Sequence, residues 1–234
     1  MRWLLPCAFA VAAVVLGRHA VQALLDAGRH PTGRMELIAG YYLLRTAVVF
    51  LFAVFTIGRA EPRRKSREPA AIVACAVAMA AVLAFHPPSS ATSSPLVLAG
   101  VLVALASCAW LLASVLALGR CFGVLPEARG LVVRGPYRVV RHPVYLGEIG
   151  ACLGLAVCAP SPLNAAVLAV FCVAQLVRMG FEERALQAAF PEYAAYASAT
   201  PRLLPVRAKG TRSRARQNLG GVASRRDLPA YPKV

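Results

Sequence analysis

Acidic residues are scarce in this 234-residue chain: ten Asp and Glu stand against 26 Lys and Arg, and charged residues of both signs make up only 15% of the total. An ordinary soluble domain is about a quarter charged and about half apolar, whereas this chain is 59% hydrophobic with a mean hydropathy of +0.61. A water-soluble globule is excluded on that balance. Histidine is also rare. Of the four present, His19, His30, His86 and His142, none lies within helical ligand spacing of another, so no metal site is expected. There is no Cys-x-x-Cys among the seven cysteines, their number is odd, and all but Cys121 sit in apolar stretches, which reads as small buried hydrophobes rather than disulfides or zinc ligands. No internal repeat and no Gly-x-Gly-x-x-Gly is present.

What is abundant is apolar sequence in blocks about as long as a bilayer is thick. The blocks run from Trp3 to about Leu16, from about Leu37 to Ile57, from Ala70 to Phe85 and from Leu96 to Leu118; the second and fourth are long enough to span, and the third is marginal. Val21-Gln22-Ala23 forms a passable cleavage site after the first block, but the later spans would hold the chain in the membrane even if that block were removed. The expected organisation is four transmembrane helices over 1–118, a core over 119–205 with a helical hairpin at 145–180 turned by PSPLN, and a disordered basic tail over 206–234. That is an all-α polytopic membrane bundle.

Charge placement gives an orientation. The link GRAEPRRKSRE is rich in Lys and Arg, whereas HPPSSATSSP has none, so the first is cytoplasmic and the second external. Propagated along the chain, this puts the Arg18 to Arg34 loop outside and both termini in the cytoplasm, with 22 Lys and Arg inside against 3 outside. The excess positive charge therefore points to anionic lipid, and not to nucleic acid, for which aromatic interleaving is missing.

Polar residues concentrate in two stretches beside the membrane, 128–148 and 178–186. Pro143 is placed to begin a helix, which makes His142 its N-cap and puts the positive end of the helix at the membrane face, a natural seat for an anion. Arg178 and Glu182, four residues apart, share a helix face, with Glu183 turned aside. Read alone, this is an interfacial salt bridge, but the hairpin returns Glu182 to the level of His142. Glu148 reads as a helix-dipole partner, Arg45 as facing the bundle or snorkelling, and Tyr193 and Tyr196 as packing for the last helix.

RGPYRVVRHPVYLGE, followed some forty residues later by FEERALQAAFPEYAAY, resembles the C-terminal signature of the isoprenylcysteine carboxyl methyltransferase and phospholipid methyltransferase family. The resemblance covers residues 128 to 205. It implies a cytoplasmic S-adenosylmethionine pocket that would include Arg129, Gly130, Leu131, Val132, Tyr137, His142, Pro143, Val144, Tyr145 and Glu182. Arg178 would face a lipophilic acceptor entering from the bilayer. Two positions depart from the family: Arg129 stands where eukaryotic members tend to have His, and Phe122 where a polar cofactor contact is found. The acceptor's identity and the oligomeric state stay open. A carboxylate would need only positioning, and Arg178 favours it; an ammonium would first have to lose a proton, with Glu183, His142 or a tyrosine as candidate acceptors. Membrane sterol-type reductases share a similar His-Pro-x-Tyr region and bind NADPH, so a reductase stays open as an alternative, as does a non-catalytic scaffold.

Overall fold

Proline and glycine punctuate a chain that is mostly helical where it is described. The computed structural model describes residues 4–29, 31–57, 68–85, 94–123 and 125–204. The basic tail, most of both links used to set the orientation, and the side chain of Arg45 lie outside the described residues. Seven α-helices follow one another: α1 (Leu4–Arg29), α2 (Gly33–Ile57), α3 (Pro69–Ala84), α4 (Ser94–Leu118), α5 (Pro143–Cys158), α6 (Pro162–Ala189) and α7 (Tyr193–Ala199). Among the described residues there is no strand. Helix α1 lies along α2, α2 meets α4, α4 packs on α5, and α3 packs on α6.

Among the described residues, three helical stretches are long and apolar enough to cross a membrane: Ala10–Arg29, Pro95–Cys121 and Pro162–Ala189; Pro69–Val82 and Pro143–Cys158 are apolar but shorter. Their outward residues are apolar too, with Val11, Val14, Val73, Leu102, Leu116, Val170 and Val173 all exposed. Such a surface belongs in lipid.

Two boundaries differ from expectation. Most of the Arg18 to Arg34 loop is helix, because after Leu16 come Arg, Ala, Gln and Leu with no proline before Pro31, and good helix formers carry α1 on to Arg29. The stretch GFEERALQAAFPEYAAYAS, which reads in the sequence as one charged helix leaving the membrane, is not continuous either. Pro191 ends α6 at Ala189 and the chain restarts at Tyr193 as α7, since proline has no N–H to donate and its ring collides with the preceding turn.

The α4–α5 contact is made by small residues. An added Cβ at Gly154 would lie 2.6 Å from both the Ala104 nitrogen and the Gly100 oxygen, one at Gly150 would lie 2.3 Å from Ser107 Oγ, and one at Gly147 would lie 2.8 Å from Leu111 Cβ. Three glycines on one side of α5 therefore let the two backbones approach closely, as membrane helices do where small residues face each other. Gly154→Ala is expected to destabilise the protein by roughly 1–3 kcal/mol, because backbone atoms cannot yield as a flexible side chain can. The thermal midpoint in detergent measures this, with Gly180→Ala as control, where the nearest atom is 3.9 Å away. An unchanged midpoint for Gly154→Ala would refute the close seam.

Candidate functional site

Between α4 and α5 the chain leaves regular helix for a loop held by short turns. Gly119, at φ +54°, closes α4 in the left-handed conformation that glycine adopts without strain, and Gly135, at φ +57°, opens the short turn Gly135–Arg138. Gly130 is pressed against Cys121, where an added Cβ would lie 2.5 Å from the sulfur. This loop, the end of α4, α6 and α7 surround a cleft with about 520 Å³ of empty space, its open mouth included. Leu118, Leu125, Leu131, Val132 and Leu186 give it aliphatic walls; Tyr137, Tyr193 and Tyr196 give it aromatic ones; Glu127, Glu182 and Arg141 bring charge.

Behind the cleft, α5 and α6 run back along each other through polar contacts. The Tyr145 hydroxyl donates to Glu182 Oε2 at 2.7 Å, and the Arg178 guanidinium lies 5.1 Å from the centre of the Tyr145 ring, a cation–π distance. Arg178 Nη1 donates to Gln175 Oε1 at 2.6 Å and lies 3.8 Å from Glu148 Oε2, to which Gln175 also donates. Glu148 therefore turns to α6 and serves as a counter-charge to a buried arginine, not as a helix-dipole partner. The salt bridge expected between Arg178 and Glu182 gives way to this arrangement, with Tyr145 interposed.

Glu183 has a different task. Its Oε1 lies 3.0 Å from His142 Nε2, 3.5 Å from Arg141 Nη2 and 3.3 Å from Arg202 Nε. Backbone bonds from Arg141 N to Pro201 O and from His142 N to Arg202 O, at 2.9 and 3.1 Å, tie the same elements together. His142 is the N-cap of α5, as Pro143 implied, and is 2% exposed. Glu183 thus clamps the start of α5, the middle of α6 and the segment after α7.

The three tyrosines of the cleft remain protonated near neutral pH. Burial pushes the Tyr137 hydroxyl well above the usual tyrosine range, helped by the Glu182 charge. Burial likewise raises Tyr193, helped by Glu183, and pushes Tyr196 up to about 12. All three are neutral hydroxyls, able to donate, rather than bases. Tyr196 donates to the Tyr137 carbonyl at 2.7 Å.

Residues 89–193 match the family model described as phospholipid methyltransferase. The match covers somewhat less than half of the chain. It holds α4, α5, α6 and every cleft residue except Tyr196. The cobalt-zinc-cadmium resistance protein CzcN of Cupriavidus metallidurans (strain ATCC 43123 / DSM 2839 / NBRC 102507 / CH34) is 41% identical over 76 residues, 32% of this chain and 35% of that protein. The match thus spans about a third of the relative's length. With its apolar spanning helices, the chain is an integral membrane protein.

Within the matched region, Gly130, Leu131, Val132, Tyr137 and Glu182 line the cleft. Arg129 is buried and paired with Glu127, and His142, Pro143, Val144 and Tyr145 stand behind the wall. Pro143 accepts the Trp110 indole N–H at 3.0 Å, and Val144 packs on the cluster of Ala53, Leu111, Val115 and Phe122. Phe122 is therefore a core residue. Arg178 is one step further back, beyond Tyr145. Sequence reasoning missed Glu127, Leu186, Tyr193 and Tyr196 as cleft residues. The Tyr-x-x-Tyr pair was the visible signal for the last two, and it also packs as expected, with Tyr193 in a cluster with Ala128, Leu131, Ala185 and Phe190. Among the described residues, no three His, Cys, Asp or Glu side chains gather as metal ligands.

Proposed function

We propose that the chain is an S-adenosylmethionine-dependent methyltransferase acting on a lipophilic acceptor at the cytoplasmic face of the membrane. The observation that carries this reading is Glu182: an acid fixed by Tyr145, in the wall of a cleft lined by aromatic and aliphatic side chains, inside the region of the family match. The donor set fits the cofactor, whose sulfonium, ammonium and carboxylate ask for acids, a cationic corner and flat apolar surface. Glu182 and Glu127, Arg141, and the tyrosines with their aliphatic neighbours supply these.

When bound, S-adenosylmethionine supplies an electrophilic methyl group for in-line displacement. The protein's share is alignment and exclusion of water, and no covalent residue is required. Glu182 would hold the ammonium or the ribose. Arg178, reached from the bilayer side of Tyr145, would place the anionic group of the acceptor, and this favours a carboxylate over an ammonium. The 22 Lys and Arg assigned to the inner face support cytoplasmic termini and a cytoplasmic cleft.

One experiment tests activity and orientation together. Purified protein should bind tritiated S-adenosylmethionine and not NADPH, and inside-out membrane vesicles given the methyl-labelled cofactor should accumulate label in an organic-extractable product that right-side-out vesicles do not make. Binding of NADPH alone would replace the methyltransferase reading with the reductase one. Labelling confined to right-side-out vesicles would reverse the orientation.

A further inference from the structure

Two donors on the walls of the cleft lack hydrogen-bond partners among the described residues although water cannot reach them: Tyr193 Oη and Arg141 Nε. The rest of the Arg141 guanidinium is engaged, with Nη1 donating to the Ala197 carbonyl at 3.3 Å and Nη2 3.5 Å from Glu183. Tyr193 is 1% exposed, and its ring packs among Ala128, Leu131, Ala185 and Phe190, where phenylalanine would serve equally well. Its neighbour Tyr196, three residues on, gives its hydroxyl to the Tyr137 carbonyl. A buried hydroxyl with no partner opposes folding, so its presence calls for a ligand.

The charge around these donors indicates which part of a ligand they meet. Glu182 and Glu127 suit cationic groups, whereas the Arg141 N–H and the Tyr193 hydroxyl are donors left over in the same wall, and they suit an anion even though Glu183 answers part of the Arg141 charge. We propose that Arg141 Nε and Tyr193 Oη form the carboxylate anchor for the amino-acid end of S-adenosylmethionine. This rests on the methyltransferase reading and adds a binding role for Tyr193 on α7, together with a direction for the bound cofactor: carboxylate toward α7, ammonium toward Glu182.

The test compares two ligands that differ only in that group, S-adenosylhomocysteine and its decarboxylated analogue S-adenosyl-3-thiopropylamine, by calorimetry on the full-length protein in detergent. Tyr193→Phe should weaken S-adenosylhomocysteine about tenfold, the scale of one hydrogen bond to a charged group, and leave the decarboxylated analogue unchanged. The thermal midpoint without ligand should stay level or rise, because the hydroxyl contributes no bond to the fold. Equal loss for both ligands, no loss for S-adenosylhomocysteine, or a lowered midpoint without ligand would each overturn the anchor. If the wild-type protein binds neither compound, the methyltransferase reading falls and the anchor with it. Binding of S-adenosylhomocysteine that Tyr193→Phe leaves intact removes the anchor alone.

Discussion

Arg178→Ala is expected to slow methyl transfer by about a hundredfold or more while S-adenosylmethionine affinity stays within about threefold, as when loss of a positioning contact misplaces a reactant. Arg178 does not line the cleft. It sits against the far side of the Tyr145 ring, only 8% exposed, and reaches Glu148 and Gln175. A guanidinium in that low-dielectric position attracts an anionic group strongly, but only if the group can share it with Glu148. Removing the arginine also strands the Glu148 carboxylate, and breaking such a buried pair costs about 3–5 kcal/mol. A control must separate the two effects. Arg178→Gln combined with Glu148→Gln removes both charges and should restore the thermal midpoint without restoring transfer. If cofactor affinity falls in step with transfer, Arg178 acts by holding Tyr145 and Glu182, and the case for an anionic acceptor loses its support.

How much of this was legible in the sequence depends on how local the determinant is. The apolar block that became α4 and the marginal length of the block that became α3 follow from counting residues against bilayer thickness. Pro143 fixed the start of α5 and made His142 its cap through local backbone restriction. The partners of those residues were not legible, because they depend on the rotation and register of one helix against another. Glu148 meets Gln175, 27 positions away, only because α5 and α6 return along each other in this particular register. Helical spacing put Arg178 and Glu182 on one face, and could not show that Tyr145 would come between them. The glycines of α5 were visible as letters, but their close approach to Gly100 and Ala104 is a property of the pair of helices. Arg129 fell within the motif, yet its side chain turned to Glu127 and only its neighbours Gly130 to Val132 reached the cleft. The break at Pro191 was readable, but not that it folds α7 back to put Tyr193 in the wall.

The two adjacent glutamates on α6 should separate cleanly under the same substitution. Glu182→Gln keeps an oxygen able to accept the Tyr145 hydroxyl, now at 2.7 Å, so the fold should persist with its thermal midpoint little changed. What it loses is the charge facing the cleft. S-adenosylmethionine should then bind about one to two orders of magnitude more weakly, the equivalent of a charged hydrogen bond of roughly 1.5–3 kcal/mol. Glu183→Gln is the mirror case. There the carboxylate answers Arg141, His142 and Arg202 at once, and its loss leaves the guanidinium groups of Arg141 and Arg202, from two segments, without that counter-charge. With the side chain still 19% exposed, water compensates in part, and the loss of stability should fall at the lower end of the range for a broken buried pair, about 3 kcal/mol. Calorimetric cofactor titration and thermal unfolding, applied to both variants, give four readings. A drop in affinity confined to Glu182→Gln and a drop in midpoint confined largely to Glu183→Gln would assign binding to the first glutamate and the clamp to the second. Unchanged affinity in a folded Glu182→Gln protein would leave that residue with no role beyond its bond to Tyr145.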